Sequence, residues 1–271
     1  MVRDIPMELR IGCTGWSYEG WIGPFYPKTM EQTDYLKHYS KVFNITEINS
    51  TFYRIPSISM AEKWNKETPE TFQFTAKFPK LITHEGRLKP GPYLDQFINS
   101  VKPLGKKMFL LVIQLPPSLS FSEAQPQLEK MIRHLPNTYR YAIEGRHNSW
   151  FSDSAYKFLS EHNVSLVWNE VSGVENPAPI TSDLVYLRLI GDRSISEKEF
   201  GTVQKDRTDL VKKWADKLKQ VSNKVSYAIF VANNHFEGFA PATANKFRSQ
   251  MGLEQLVWTD TKQKTLFDFK K

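Results

Sequence analysis

Short apolar runs alternate with longer amphipathic segments along the whole chain. Eight runs have strand length and are rich in Ile, Val, Phe and Tyr: Leu9–Cys13, Ile45–Asn49, Phe72–Lys77, Phe109–Leu115, Tyr141–Glu144, Leu166–Asn169, Leu184–Leu189 and Tyr227–Val231. Helical periodicity fills most of the gaps. Thr33–Phe43 places Tyr35, Leu36, Tyr39 and Phe43 at helical spacing, and Ser59–Glu67 opens near a Ser57 or Ser59 cap and stops before Pro69. Tyr93–Val101, Glu123–Leu135, Ser154–His162, Asp209–Val221 and Pro241–Met251 follow the same pattern. One gap differs: Val171–Asp183 carries Gly173, Pro177 and Pro179, which predicts an irregular crossover in place of a helix.

Strand–helix alternation predicts parallel strands joined by right-handed crossovers. Eight such units predict closure into an α/β fold of the (β/α)8 TIM-barrel type. The 271 residues sit close to the ~250 that such a barrel needs, so residues 1–271 read as one domain. A doubly wound open sheet is the rival. It would carry a glycine-rich phosphate turn after the first strand, and Gly12-Cys13-Thr14-Gly15-Trp16-Ser17 is neither that fingerprint nor a P-loop.

In such a barrel all strand ends face one side, where functional loops gather. The ends here are polar: Thr14; Glu47 and Asn49; Lys77; Gln114; Glu144, Arg146 and His147; Asn169 and Glu170; Arg188; Asn233, Asn234 and His235. Alternate residues of a strand share a side. Glu47 and Asn49 therefore fall with Ile45, Lys77 with Gln73 and Thr75, Arg146 with Ala142 and Glu144, and Arg188 with Tyr186. If the apolar sides pack on helices, then Glu47, Lys77, Glu144, Arg146 and Arg188 converge at the barrel mouth. Buried charge is costly unless it is paired or used. Were all five paired among themselves, the set would only hold the barrel together.

Three cations against two carboxylates make the pocket net positive, a clamp for phosphate or carboxylate groups. Asn49, Gln114, Asn233 and Asn234 could read hydroxyls or base edges. Aromatic residues after the first strand (Trp16, Tyr18, Trp21, Phe25, Tyr26), Tyr53 after the second, and Trp150 with Phe151 after the fifth could stack on a sugar or base, or else form a hydrophobic lid. A divalent metal is the weaker reading. His84, His147 and His235 could join Glu47, Glu144 or Glu170, but no HExxH-like pair appears. No cofactor declares itself.

Composition adjusts this picture little. The net charge of +7 arises from 36 basic and 29 acidic residues, which favours anionic partners without naming one. The single cysteine, Cys13, excludes an intrachain disulfide and suits a reducing compartment. Met1–Arg10 carries Arg3, Asp4, Glu8 and Arg10 and lacks the apolar core of a signal peptide. The longest apolar run, Met108–Ile113, is too short to span a bilayer. A cytoplasmic protein without membrane partners is the expectation.

Several of these residues lie in longer motifs. Gly12 to Tyr18, Trp21-Ile22-Gly23, Phe25-Tyr26-Pro27 and Glu47-Ile48-Asn49-Ser50-Thr51-Phe52-Tyr53-Arg54-Ile55-Pro56 are joined by Trp64 to Lys77, Thr83-His84 and Gln114-Leu115-Pro116-Pro117. Glu144-Gly145-Arg146-His147-Asn148-Ser149-Trp150, Tyr186-Leu187-Arg188 and Asn233-Asn234-His235 with Gly238 and Pro241 complete the set. Over nearly the whole chain this resembles the YecE-like family, domain of unknown function 72. The resemblance implies a (β/α)8-type barrel and brings no established reaction. Two departures stand out. Many members carry Arg-x-His-Gly after the seventh strand, where this chain has Arg188-Leu189-Ile190-Gly191-Asp192-Arg193, and many carry Asp at the end of the sixth, where it has Asn169-Glu170.

The leading expectation is a hydrolase-type enzyme for a phosphorylated or otherwise anionic sugar or nucleotide-like substrate. Glu144 would be general acid or base, Glu47 its partner and His147 a proton shuttle. Lys77, Arg146 and Arg188 would hold the anion. The alternatives are a glycosidase-like enzyme on a neutral sugar and a non-catalytic binder of single-stranded nucleic acid or nucleotides.

Overall fold

A computed structural model describes residues 7–258 except 90, 171, 172, 174 and 193. The strands are β1 (Glu8–Thr14), β2 (Ile45–Ile48), β3 (Gln73–Lys77), β4 (Met108–Gln114), β5 (Arg140–Glu144), β6 (Ser165–Leu166), β7 (Trp168–Asn169), β8 (Leu184–Leu189) and β9 (Tyr227–Ala232). All pairings are parallel, in the order β6-β5-β4-β3-β2-β1-β9-β8-β7. The helices are α1 (Tyr35–Val42), α2 (Ile58–Glu67), α3 (Pro92–Val101), α4 (Phe121–His134), α5 (Asp153–Glu161), α6 (Thr208–Val221), α7 (Asn234–Glu237) and α8 (Ala240–Gln250). Every predicted strand and helix has its counterpart, and the barrel expectation is borne out.

Local chemistry sets the helix ends. The Ser57 hydroxyl accepts the Met60 N–H at 3.1 Å to open α2. Ser120 and Glu123 form a reciprocal capping box on α4.

The two ends of the strand order are halves of one extended stretch, split at Val167. β6 pairs with β5, and β7 pairs with β8. The seam beside β6 is filled by side chains. The Thr181 hydroxyl accepts the Leu166 N–H at 2.8 Å and donates to the Val164 carbonyl at 2.7 Å. Asn176 donates to the Val167 carbonyl at 2.9 Å. These loop groups stand in for ladder bonds, because a buried backbone N–H or C=O needs a partner. The barrel is therefore nearly closed. The crossover that supplies them, 175–183, has no helix, as its prolines predict; positions 171, 172 and 174 of that segment lie outside the described residues.

The core has two layers. Between strands and helices lies a large apolar cluster that includes Phe74, Leu111, Ile143, Leu187 and Phe230. Inside the barrel a smaller one contains Ile45, Leu110, Val112, Ala142, Val167, Leu184, Tyr186, Ile229 and Val231. Strand parity sorts the residues between the layers and carries polar side chains to the top of the inner one. Among the described residues, no helix is long and apolar enough to cross a membrane.

Candidate functional site

Five charged side chains meet above the inner apolar layer. Glu47 (β2), Glu144 (β5) and Arg188 (β8) are fully enclosed, each 0% exposed. Arg188 sits between the two carboxylates. Its Nη2 donates to Glu47 Oε1 at 2.7 Å, and its Nη1 pairs with Glu144 Oε2. Arg146, just past β5, donates to Glu144 Oε1 through Nε at 2.8 Å and Nη2 at 2.7 Å. Lys77, the last residue of β3, brings Nζ to 3.9 Å from Glu47 Oε1. The other Glu47 oxygen, Oε2, accepts the Tyr186 hydroxyl at 2.5 Å, and that hydroxyl lies 2.9 Å from Thr75 Oγ1.

This geometry fixes protonation states. Burial alone would raise the Glu47 pKa, but the charges of Arg188 and Lys77 and the bonds from Arg188 and Tyr186 outweigh it and hold the carboxyl below its ordinary value. Burial and the adjacent Glu47 push the Tyr186 phenol well above its usual range, so it remains a donor. Lys77 moves the other way. Burial first, then the charge of Arg188, pull it from 10.5 down to about 7, against the pull of Glu47; Arg146 adds to the lowering.

A second circle surrounds these charges. The Phe52 ring lies 5.7 Å from Lys77 Nζ and 5.1 Å from the His84 ring. Burial, then Arg146, lower the His84 pKa, which keeps that imidazole neutral near neutral pH. Five amides have buried atoms without hydrogen-bond partners among the described residues, and three of them, through Asn49 Oδ1, Gln114 Oε1 and Asn169 Nδ2, stand at or just past the ends of strands. Gln114 is 6% exposed and Asn169 2%. Gln114 shares the strand side of Leu110 and Val112, and Asn169 that of Val167, so both belong to the inner face. Buried polar atoms without partners are costly.

The other expected site residues divide. Tyr53 is exposed beside Phe52. Asn233 donates to Thr14 Oγ1 at 2.8 Å and caps α7 through the His235 N–H. His235 pairs with Glu197 at 3.2 Å. His147 is exposed and turned to its own loop, where Nδ1 accepts the Ser149 N–H at 3.2 Å.

The aromatic residues mostly form the lid. Trp150 is fully enclosed, packs edge-on against Phe121 and donates to the Leu119 carbonyl at 3.0 Å. Trp21, equally enclosed, donates to Asn234 Oδ1 at 3.0 Å, which ties Asn234 to structure. Trp16 packs on Trp64 and Phe74 in the layer between strands and helices. Stacking by Trp150 on a mouth ligand is thus corrected, because that ring is fully enclosed, while Trp16 is only partly buried. Sequence reasoning missed Thr75 and the hydroxyl role of Tyr186, although both share parity with named charges. Asn169 was noted only as a strand end. Among the described residues, no group of three or more His, Cys, Asp or Glu is placed to hold a metal ion.

Fold and site together define a (β/α)8 barrel with a cluster of charged side chains at its strand C-termini. Residues 10–266 match the family model described as "Protein of unknown function DUF72", and the chain belongs to that family. It is 34% identical over 156 residues to UPF0759 protein YunF of Bacillus subtilis (strain 168), which covers 55% of this chain and 54% of that one. It is 29% identical over 145 residues to UPF0759 protein YecE of Escherichia coli (strain K12), with 53% and 50% covered. The chain spans about half the length of the curated relatives it matches. Among solved structures it resembles a DUF72 family protein (TM1631) from Thermotoga maritima MSB8, with 27% identity, a TM-score of 0.77, and 90% of this chain and 99% of that one covered. A DUF72 family protein (EF0366) from Enterococcus faecalis V583 matches with 21% identity, a TM-score of 0.73, and 92% and 99% covered, a likeness of fold alone. The YecE-like resemblance is thereby borne out.

Proposed function

We propose that this barrel is an enzyme acting on an anionic small molecule, a phosphorylated or carboxylated sugar or a nucleotide-like compound, bound over Lys77 and Arg146. The observation that carries this reading is the layering of charge. Both carboxylates are wholly enclosed, while two of the three cations reach the solvent edge, with side chains 12% (Lys77) and 26% (Arg146) exposed. An approaching ligand meets positive charge first, beside amides that each have one unpartnered buried atom. Arg146 supplies the planar fork that suits carboxylate or phosphate.

All five charges enter ion pairs among themselves, as a purely structural network would have them. Lys77 is the weakly held member, too far from Glu47 for a hydrogen bond. Hydrolysis with Glu144 as acid or base asks for a carboxyl with free proton chemistry. Glu144 is instead bridged by Arg146 and Arg188, and Glu47 by Arg188 and Tyr186. Their first role in this proposal is to hold the cations. The same engagement weighs against a glycosidase on neutral sugars, and the buried tryptophans weigh against stacking on a nucleic-acid strand.

The test is a thermal-shift and calorimetric series with inorganic phosphate, sugar phosphates, small carboxylates, nucleotides and neutral sugars. Anions are expected to stabilise the wild type, with the effect lost in Arg146→Gln. Neutral sugars binding best, in both proteins alike, would overturn the reading.

A further inference from the structure

Within that anion-binding reading, we propose that Lys77 is the nucleophile of the barrel and that the substrate is an anionic carbonyl compound, an α-keto acid or an open-chain sugar phosphate, taken up as an imine. Lys77 ends β3 on the inner side, and its side chain is reachable from the mouth. The carboxylate that approaches it is already engaged, Glu47 Oε1 by Arg188 Nη2 and Oε2 by the Tyr186 hydroxyl. Nζ lies 3.9 Å from Oε1, beyond hydrogen-bond distance. Two guanidinium groups share the same space, Arg188 from β8 and Arg146 from the end of β5. Arginine does not give up its proton, so the lysine is the member of a crowded cationic set that yields. A lysine beside other cations in a desolvated site is an activated amine. Its lowering to about 7 agrees with that placement.

The step balances without any oxidant or reductant. The unprotonated Nζ adds its electron pair to the carbonyl carbon, and one of its two protons passes to the carbonyl oxygen to give a carbinolamine. The second N–H proton passes to the hydroxyl, the C–O bond breaks as water leaves, and a C=N bond replaces C=O. Arg146, the more exposed cation, holds the anionic group of the substrate. The charged and titratable groups facing Lys77 are Glu47 from β2, Arg188 from β8, Arg146 past β5 and His84 past β3, with Glu144 beyond Arg188.

The experiment uses the full chain with pyruvate or dihydroxyacetone phosphate as probe and borohydride as trap. Borohydride delivers hydride to the imine carbon and leaves a stable secondary amine. Intact mass and peptide mapping locate it. One reduced adduct per chain, on Lys77, is expected in the wild type and is absent in Lys77→Arg, which keeps a cation there. Adducts spread over surface lysines with none on Lys77, equal yield in Lys77→Arg, or no adduct with either probe would overturn the proposal.

A ligand-free measurement guards against a poor choice of probe. Competitive acetylation is read from ~pH 5 to ~pH 10. A lysine titrating near 7 carries ~10³-fold more free amine at neutral pH than one at its ordinary value, so Lys77 should label with a midpoint near 7. A midpoint in the ordinary lysine range would count against it. Stabilisation by anions with no adduct on Lys77 would defeat the imine alone. Equal adduct yield from acetone and pyruvate would defeat the anion reading alone.

Discussion

Arg188 is the member whose removal should cost most. Arg188→Met leaves Glu47 and Glu144 fully enclosed and removes the charge that both share. Breaking a buried ion pair by deleting one partner costs about 3–5 kcal/mol. Glu47 keeps the Tyr186 hydroxyl and the distant Lys77, and Glu144 keeps Arg146, so the lower part of that range applies, ~3–4 kcal/mol. For a chain of this size that is a fall in Tm of roughly 6–16 °C. The sign with pH is a second check. In the wild type, Glu47 titrates below its ordinary 4.5, so its stabilisation is present above that value and lost as pH falls through the lowered one. Without Arg188, burial prevails and the carboxyl titrates higher, so the folded variant takes up a proton that the unfolded chain does not hold. The deficit is therefore greatest at neutral pH and shrinks toward ~pH 5. Urea unfolding at both pH values measures it. Glu47→Gln/Glu144→Gln/Arg188→Met should recover most of the loss, because a neutral set buries no unpaired charge. A deficit under ~1 kcal/mol, the same at both pH values, would refute the enclosed cluster.

Two further outcomes follow from the same coordinates. Gly145→Ala would place a methyl group 2.4 Å from Trp150 Cγ, against a ring held by Leu119 and Phe121, so a loss of ~1–3 kcal/mol and a changed tryptophan emission are expected. Lys77→Met should flatten the pH dependence of stability. Between about 7 and 10.5 the unfolded wild-type chain holds a proton that the folded one lacks, so wild-type stability rises with pH across that window, by at most ~5 kcal/mol. Urea unfolding across the window shows whether the variant loses that slope and exceeds the wild type most below it.

How much of this was legible beforehand follows from periodicity. Strand side chains alternate with a period of two, so placing Glu47 with Ile45, Glu144 with Ala142 and Arg188 with Tyr186 needed only the strand boundaries, and the five charges duly share one space. The missing helix before β8 was likewise written in Pro177 and Pro179. Loop residues have no period. Nothing in Trp21 or Trp150 distinguishes a ring stacked on a ligand from one packed into the fold; only the Asn234 and Leu119 contacts decide it. For the same reason the use of Thr181 and Asn176 to complete the seam was invisible, as was the turn of His147 toward Ser149. Tyr186 was overlooked because it is two things at once: its ring belongs to the inner apolar layer and its hydroxyl to the charge cluster. A pattern that scores each residue as apolar or polar cannot record both.

The division of labour among the three cations follows from where each one sits. Arg188, wholly enclosed, is held between two carboxylates, and removing it threatens the fold. Arg146 and Lys77 are at the edge, where the proposed anion would meet either. If the anionic group settled on Lys77, its charge would favour the protonated amine and raise the pKa again, which opposes imine formation. If it settles on Arg146, whose charge does not depend on pH in this range, the positive field around Lys77 is only partly neutralised and the amine can stay free. An imine-forming site therefore needs its anion clamp on an arginine and its nucleophile on a lysine, with the two held apart. This barrel places those residues past β5 and at the end of β3, with β4 between them.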